Sequence, residues 1–400
     1  MQWPLTITPE ELARFERDAF GLQRVSTPHT LFSAKSLMGL DSGIWQDILT
    51  SGATSTFDVN RASVTLDTTS TIGSSAIRQT RYWWNYQPSK SQRFFLTFVM
   101  GAIVAGVTKR VGYYDDEDGI YLEHDSTTAK VVIRSHISGA AVNTEVDQAD
   151  WNVDKFDGTG VSGITLDFTK AQIFHCDFEW LGVGSVRCGF AIDGRVLYCH
   201  QFDHSNSSTG VYMSSPNLPL RYEIINVAAV AADSLECICG AVSSEGGNTP
   251  LNRLRTANRG NTTLSISAGV TRALVQIRKK TTAKKATVIP IKFSTLNSSN
   301  GSFMWSIVVN PTVTGGTAVW TSGGTAVEYD ISQGGTVSGG LTLDSGYVSS
   351  DVNYAGVPID IDNVFGIGQN NDGTSDIIVL AITSIGNDSY LGSLTWREYY

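Results

Sequence analysis

The chain has 400 residues and carries 38 Asp and Glu against 29 Lys and Arg, which gives a formal net charge of −9. Hydrophobic residues make up 41% of it, which excludes an intrinsically disordered chain, and the acidic balance argues against a nucleic-acid partner. Because no apolar run approaches ~18 residues, we predict no membrane span and no membrane partner. The 39 Gly against 10 Pro, with abundant Thr, Ser and Val, are typical of an all-β protein.

The first predicted element is a short amphipathic helix in an N-terminal arm, residues 1–29. Thr8 and Pro9 supply an N-cap and a first helical position, and Leu12 and Phe15 fall on one face. So short a helix is marginal alone, so it must dock on its own domain or anchor the chain to a neighbouring one. Leu12 and Phe15 are therefore interface candidates.

Residues 30–250 predict a large domain of antiparallel strands packed as a β-sandwich, of jelly-roll or concanavalin-like type. The clearest stretch is 175–202, where apolar residues recur at every second position and Asp193-Gly194 marks a hairpin turn. The Gly- and Asp-rich segment 150–167 is long for a loop, so it is either functional or a structured flap.

The polar segment 251–270 predicts a linker, and residues 271–400 predict a second, smaller β-sandwich. Residues 251–290 hold nine Lys or Arg and no acid, whereas 291–390 hold nine acids and one Lys. This pattern favours a charge-matched surface within or between subunits over a nucleic-acid site. The basic interface candidates are Arg272, Arg278, Lys279, Lys280, Lys284 and Lys285.

A second candidate surface is the aromatic run around residues 82–86. Consecutive rings on both faces of one strand fit burial between packed subunits, which makes Trp83, Trp84 and Tyr86 interface candidates. The alternative for the same rings is a sugar-stacking site.

Few residues have the spacing of a catalytic or metal-binding motif. Asp177 and Glu179 alternate along one strand, as the two acids of a glycan hydrolase would, but no third acid continues the row, and a solvated sheet face is favoured. The five cysteines and the nearby histidines lack zinc spacing and are interpreted as core residues, whereas calcium at the 115–118 turn or at Asp154 and Asp157 is left as an alternative. We predict no enzyme activity, no catalytic or metal residues and no cofactor.

Several segments resemble virion structural proteins of tailed bacteriophages. They are AIRQTRYWWNYQPSKSQ (76–92), WNVDKFDGTGVSGITLDFTKAQIFHCDFEWLGVGSVRCGFAIDG (151–194), VYMSSPNLPLRYEI (211–224), VSSEGG (242–247) and TSDIIVLAITS (374–384). The resemblance covers most of residues 50–400. The meander at 175–202 is also similar to concanavalin-like lectin sandwiches, which is an analogy of fold.

The resemblance implies a non-enzymatic structural protein of the virion that acts through subunit contacts, as a capsid decoration or a head- or tail-associated component. It implies assembly in the host cytoplasm, further copies of the chain as partners, and other virion proteins such as the major capsid or tail proteins. The alternative is a receptor-binding module on the virion that binds a host-surface glycan through Trp83, Trp84, Tyr86 or the 150–167 loop.

Overall fold

The computed structural model describes residues 17–20, 27–229, 231–249, 252–350, 354–358 and 366–400. The chain divides into two compact units: unit 1 holds residues 1–80 and 84–249, and unit 2 holds residues 81–83 and 250–400. Across the described ranges, helical structure is limited to a 3-10 turn at Gln148–Asp150, and no helix there is long and apolar enough to cross a membrane. The predicted helix with Leu12 and Phe15 lies outside the described residues.

The predicted all-β class with antiparallel sandwiches is confirmed. The strands of unit 1 are β1 (His29–Lys35), β2 (Trp45–Thr50), β3 (Thr54–Asp58), β4 (Ser63–Asp67), β5 (Ser75–Thr80), β6 (Gln92–Val99), β7 (Val107–Tyr114), β8 (Gly119–His124), β9 (Ala129–Ser135), β10 (Val142–Asp147), β11 (Gln172–Phe178), β12 (Val186–Ile192), β13 (Arg195–Phe202), β14 (Leu220–Asn226) and β15 (Ser234–Ser244).

Unit 1 contains two antiparallel sheets. The first sheet has the order β13-β12-β11-β6-β15-β4-β3, with β1 also paired to β15, and the second has the order β10-β9-β8-β7-β14-β5-β2. The predicted meander forms β11, β12 and β13. Its Asp193-Gly194 turn has positive φ at both positions, as a tight two-residue hairpin requires.

The core of unit 1 is aromatic. Strand β6 alternates strictly between buried and half-buried residues, so Phe94 and its alternate neighbours point inward while the other face points outward. Phe190 packs against Phe174, and the segment 150–167 adds Trp151 and Phe156 to the same cluster. Of the two predicted interpretations of that segment, the structured flap is therefore the one that its packing favours.

The strands of unit 2 are β16 (Arg253–Asn258), β17 (Leu264–Ile266), β18 (Thr271–Lys279), β19 (Thr287–Asn297), β20 (Phe303–Val309), β21 (Thr312–Thr314), β22 (Thr321–Ser322), β23 (Val327–Asp330), β24 (Thr336–Ser338), β25 (Leu341–Val348), β26 (Tyr354–Pro358), β27 (Ile377–Ser384) and β28 (Asp388–Tyr399). One sheet has the order β16-β28-β19-β26 with β17 beside β28. The other has the order β21-β24-β18-β27-β20-β25, with β23 on β18 and β22 on β23.

The two sheets of unit 2 enclose one apolar cluster that includes Leu274, Trp305, Leu380 and Trp396. Residues 251–270 belong to this unit and contain strands β16 and β17, both paired with β28, instead of forming a linker. Strand β16 buries only Ala257 and exposes Leu254, and β17 is three residues long, so neither strand has a clear alternating pattern in the sequence.

Candidate functional site

The outer face of the first sheet carries a row of ring-bearing and charged side chains. Because β6, β11 and β12 pair in register, His175 lies opposite Phe95, and Asp177 lies between Arg93 and Arg187. These side chains alternate with inward-facing core residues on each strand. The row therefore crosses three neighbouring strands on one face.

Asp177 is held by an ion pair on this face. The Arg187 guanidinium donates to both carboxylate oxygens, at 2.8 and 2.7 Å, and the Tyr198 hydroxyl donates to Oδ2 at 2.8 Å. The Arg187 guanidinium also lies 4.7 Å from the centre of the Tyr198 ring. Burial alone would lower the pKa of Arg187, but Asp177 and Tyr198 outweigh it and raise that pKa. Asp177 is fully buried, so this pair organises the face and does not contact a large ligand directly.

Phe95 contacts two neighbouring side chains. The Arg93 guanidinium lies 5.6 Å from the Phe95 ring centre, and the centre of the His175 ring lies 4.5 Å from it. Arg93 is itself fixed by Glu245 at 2.8 Å and by the Ser243 hydroxyl at 3.0 Å. The Phe95 ring is therefore held in a defined position at the surface.

Phe95 borders an open depression of about 310 Å³. Its walls come from β1, β6 and β15 and comprise Ser33, Ala34, Lys35, Phe95, Thr97, Cys239, Gly240 and Ala241. A β-bulge between Cys237 and Cys239 brings Cys239 to the outer face opposite Lys35, and bulges often occur next to functional sites. Burial raises the pKa of the Cys239 thiol, although the Lys35 ammonium acts in the opposite direction.

The depression combines apolar and polar groups. It offers the aromatic ring of Phe95, hydroxyls from Ser33 and Thr97, and an exposed ammonium from Lys35. Such mixed lining, an apolar platform with a few convergent polar groups, is characteristic of small-ligand sites.

Glu179 lies at the end of the same row, just beyond β11. Its Oε1 accepts a hydrogen bond from the Ser185 backbone N–H at 3.2 Å, and its Oε2 is buried without a described hydrogen-bond partner. Burial raises the pKa of Glu179, and the negative charges of Asp18 and Asp177 raise it further. Arg187 also donates to the Arg17 carbonyl at 2.9 Å, so residues 17–20 lie against this end of the face.

The aromatic candidates are buried. Trp83, Trp84 and Tyr86 are each at most 6% exposed. Trp84 stacks on Phe32 at 4.5 Å, and the Tyr86 hydroxyl accepts a hydrogen bond from the Trp180 backbone N–H. Packing within the chain uses these rings, which leaves no exposed aromatic face for a subunit or a sugar. Both the predicted subunit interface and the alternative sugar-stacking site at these rings are therefore corrected, because residues 82–86 form no regular two-faced strand.

The basic candidates make their contacts within unit 2. Arg278 pairs with Glu328 at 2.6 Å and stacks over Trp320, and Lys279 is buried with its Nζ donating to the Lys284 carbonyl. Arg272, Lys280 and Lys284 donate hydrogen bonds to carbonyl or hydroxyl oxygens. Lys285 also takes part in an interaction. These contacts fit a surface matched within one subunit, and the intersubunit role stays a prediction.

The acidic turn at 115–118 is organised by its own backbone. The Asp115 carboxylate accepts from the N–H groups of Glu117 and Asp118, and Asp118 accepts from the His136 N–H and from Ser214. Across the ranges that the structure describes, no group of three or more His, Cys, Asp or Glu side chains is arranged to hold a metal ion.

No family model and no curated protein matches the chain, so the comparisons rest on solved structures. A protein of unknown function from Shewanella oneidensis MR-1 is similar at 11% identity and TM-score 0.35, over 61% of this chain and 97% of that one. A β-1,3-glucanase from Mycobacterium marinum is similar at 9% identity and TM-score 0.38, over 54% of this chain and 100% of that one. A Bacteroides ovatus mixed-linkage glucan GH16 protein is similar at 9% identity and TM-score 0.36, over 53% of this chain and 99% of that one.

Two expectations from the sequence are corrected by this finding. The sequence predicts a non-enzymatic structural protein of a phage particle, but similar solved structures carry the names of glycan-cleaving proteins. Neither the structural role nor the exclusion of an enzyme is retained. At these identities and TM-scores the likenesses assign no activity to this chain, so its function is argued from its own residues.

Proposed function

We propose that unit 1 binds a glycan in the depression on the outer face of its first sheet. The observation that carries the proposal is the fixed Phe95 ring beside the exposed Lys35 and the hydroxyls of Ser33 and Thr97. A pyranose has an apolar C–H face and an equatorial rim of hydroxyls, which this combination matches. Because the ring is already held by Arg93 and His175, little ordering is needed on binding.

The hydrogen-bonding groups define the expected mode of binding. The Phe95 ring packs against a sugar face, Thr97 donates to or accepts from a hydroxyl, and the Lys35 ammonium donates to a hydroxyl or ring oxygen. The open shape of the depression suits one residue of a longer chain that continues along the sheet surface.

Substitution at Phe95 tests the proposal. We expect Phe95→Ala to weaken binding to an immobilised panel of purified polysaccharides by about tenfold or more, because it removes the platform. Val142→Ala is the matched control, since Val142 is an exposed aliphatic residue on the second sheet. Equal binding by Phe95→Ala and the native protein, with unchanged melting temperatures, or no binding by the native protein, would overturn the proposal.

The resemblance to proteins of tailed phages stays a prediction about where the chain works. Under it, the glycan is a component of a host cell surface, and the protein is displayed on the virion in several copies. Labelling of purified particles with an antibody against this chain tests that location.

A further inference from the structure

A second pocket lies in unit 2, at one end of the ladder between β16 and β28. Its volume is about 290 Å³, and it is lined by Asn252, Arg253, Glu398 and Tyr400. Arg253 and Glu398 are directly paired residues on neighbouring strands, so their side chains emerge side by side on one face. The pocket shares no residue with the depression in unit 1.

Arg253 and Tyr400 form one wall. The Arg253 guanidinium lies 4.9 Å from the centre of the Tyr400 ring, and its Nη1 donates to the Tyr400 hydroxyl at 2.7 Å. That hydroxyl donates in turn to Thr325 Oγ1 at 2.9 Å. A guanidinium carries five N–H donors, and the contacts described for Arg253 use one of them. The remaining donors are free to bind an oxygen acceptor.

Glu398 supplies the opposite charge at the floor. It is 1% exposed, and its carboxylate accepts from Trp396 Nε1 at 3.1 Å and from the Ala326 N–H at 3.4 Å. The carboxylate lies close to Gly324, where a Cβ would come within 2.6 Å of Glu398 Oε1. The acid is therefore fixed in place, with lone pairs left over for hydroxyl donors of a ligand.

We propose that this pocket binds a carboxylate-bearing sugar residue, such as a hexuronate. The fork of N–H donors on Arg253 matches the two oxygens of a carboxylate. Glu398 would repel a simple anion but accepts hydrogen bonds from hydroxyls, so the ligand must carry both kinds of group. Asn252 can donate and accept, and the volume suits a single sugar ring.

Titration of the full-length protein with D-glucuronate, D-glucose and acetate, followed calorimetrically, tests the inference. We expect saturable binding of glucuronate, with glucose and acetate each weaker by about tenfold or more because each lacks one of the two recognised groups. Arg253→Gln should reduce glucuronate affinity by about tenfold or more, and Arg253→Lys, which keeps the charge but loses the fork, by less. Leu254→Ala is the control, because Leu254 is 58% exposed on the alternate face of β16 and should leave binding unchanged.

Three results would overturn the inference: no saturation by glucuronate, acetate binding as tightly as glucuronate, or Arg253→Gln binding like the native protein. If Arg253→Gln fails to fold, Asn252→Ala takes its place with the same expected loss. The Phe95→Ala variant separates this site from the one in unit 1. It should retain glucuronate binding whether or not unit 1 binds a glycan.

Discussion

His124 lies at the end of β8, and neither of its ring nitrogens bonds to a described residue. Its ring packs edge-on against Phe168 at 4.3 Å. Burial, assisted by the nearby positive charge of Lys109, lowers the pKa of His124 to about 4. In the unfolded chain this histidine has a pKa near 6.5. Below about pH 6.5 the unfolded chain therefore binds the proton more readily than the folded protein does.

We expect the free energy of unfolding to fall as the pH drops from about 6.5 towards 4, by at most about 1.4 kcal/mol per pH unit from this residue. Urea denaturation at several pH values measures the slope. His124→Phe should flatten it, and the residual slope includes His200, whose pKa burial also lowers. An unchanged slope in His124→Phe would show that other groups control acid stability.

The buried ion pair between Asp177 and Arg187 is a second residue-level determinant of stability. Asp177→Asn leaves a buried guanidinium without its carboxylate, so we expect a loss of about 3–5 kcal/mol in the free energy of unfolding. Arg61→Ala is the comparison, because Arg61 pairs with Glu236 from a side chain that is 63% exposed. That change should cost about 1 kcal/mol or less. Similar losses in the two variants would contradict the importance assigned to the buried pair.

At the scale of elements, the flap at 150–167 depends on one buried carboxylate. Asp154 accepts hydrogen bonds from the Phe156 N–H at 2.9 Å and from the Ser162 N–H at 2.7 Å. Asp154→Ala leaves both donors unpaired, so we expect about 1–3 kcal/mol of destabilisation and faster protease cleavage within the flap. Asp157→Ala, at an exposed turn, serves as the control and should be cleaved at the native rate. Equal cleavage of the two variants would show that Asp154 does not secure the flap.

Local patterns predict local elements, and this limit explains which parts of the fold the sequence reveals. The meander β11–β13 follows from alternation and from Asp193-Gly194, because adjacent strands joined by a tight turn pair with each other. The depression depends instead on β1 pairing with β15, and on β15 pairing with β6, across long separations. Nothing in the spacing of Lys35, Phe95 and Cys239 indicates that they meet. Only the alternation of inward-facing and outward-facing positions along β6 could have identified Phe95 as an outward-facing ring.

At the scale of the whole molecule, the thiols provide a test of the packing. Four cysteines are at most 2% exposed, and burial raises the pKa of Cys176, Cys199 and Cys237, whereas Cys239 is exposed. We expect a maleimide to modify one thiol per chain in the native protein and all five in denaturant, as counted by mass spectrometry. Rapid labelling of two or more native thiols would contradict this packing. A bound glycan should slow the labelling of Cys239.

Composition determines the class of the molecule better than its function. Gly, Thr and Val content predicts the all-β class correctly, because turn and strand preferences add up over 400 residues. Function depends on a few side chains brought together by non-local pairing, so the aromatic run at 82–86 is prominent in the sequence although Trp83, Trp84 and Tyr86 are buried. The basic segment is also prominent in the sequence, but its side chains form contacts within unit 2, such as the ion pair of Arg278 with Glu328 and the hydrogen bond of Arg272 to a carbonyl.

Among the described residues of unit 1, the first and last strands, β1 and β15, both contribute to the walls of the depression. During synthesis, residues up to about 244 must therefore emerge from the ribosome before this surface can form. A nascent or truncated chain that stops earlier has the meander but no depression. Formation of this surface is thus a late event in the folding of unit 1, because it requires β15 to take its place between β6 and β4.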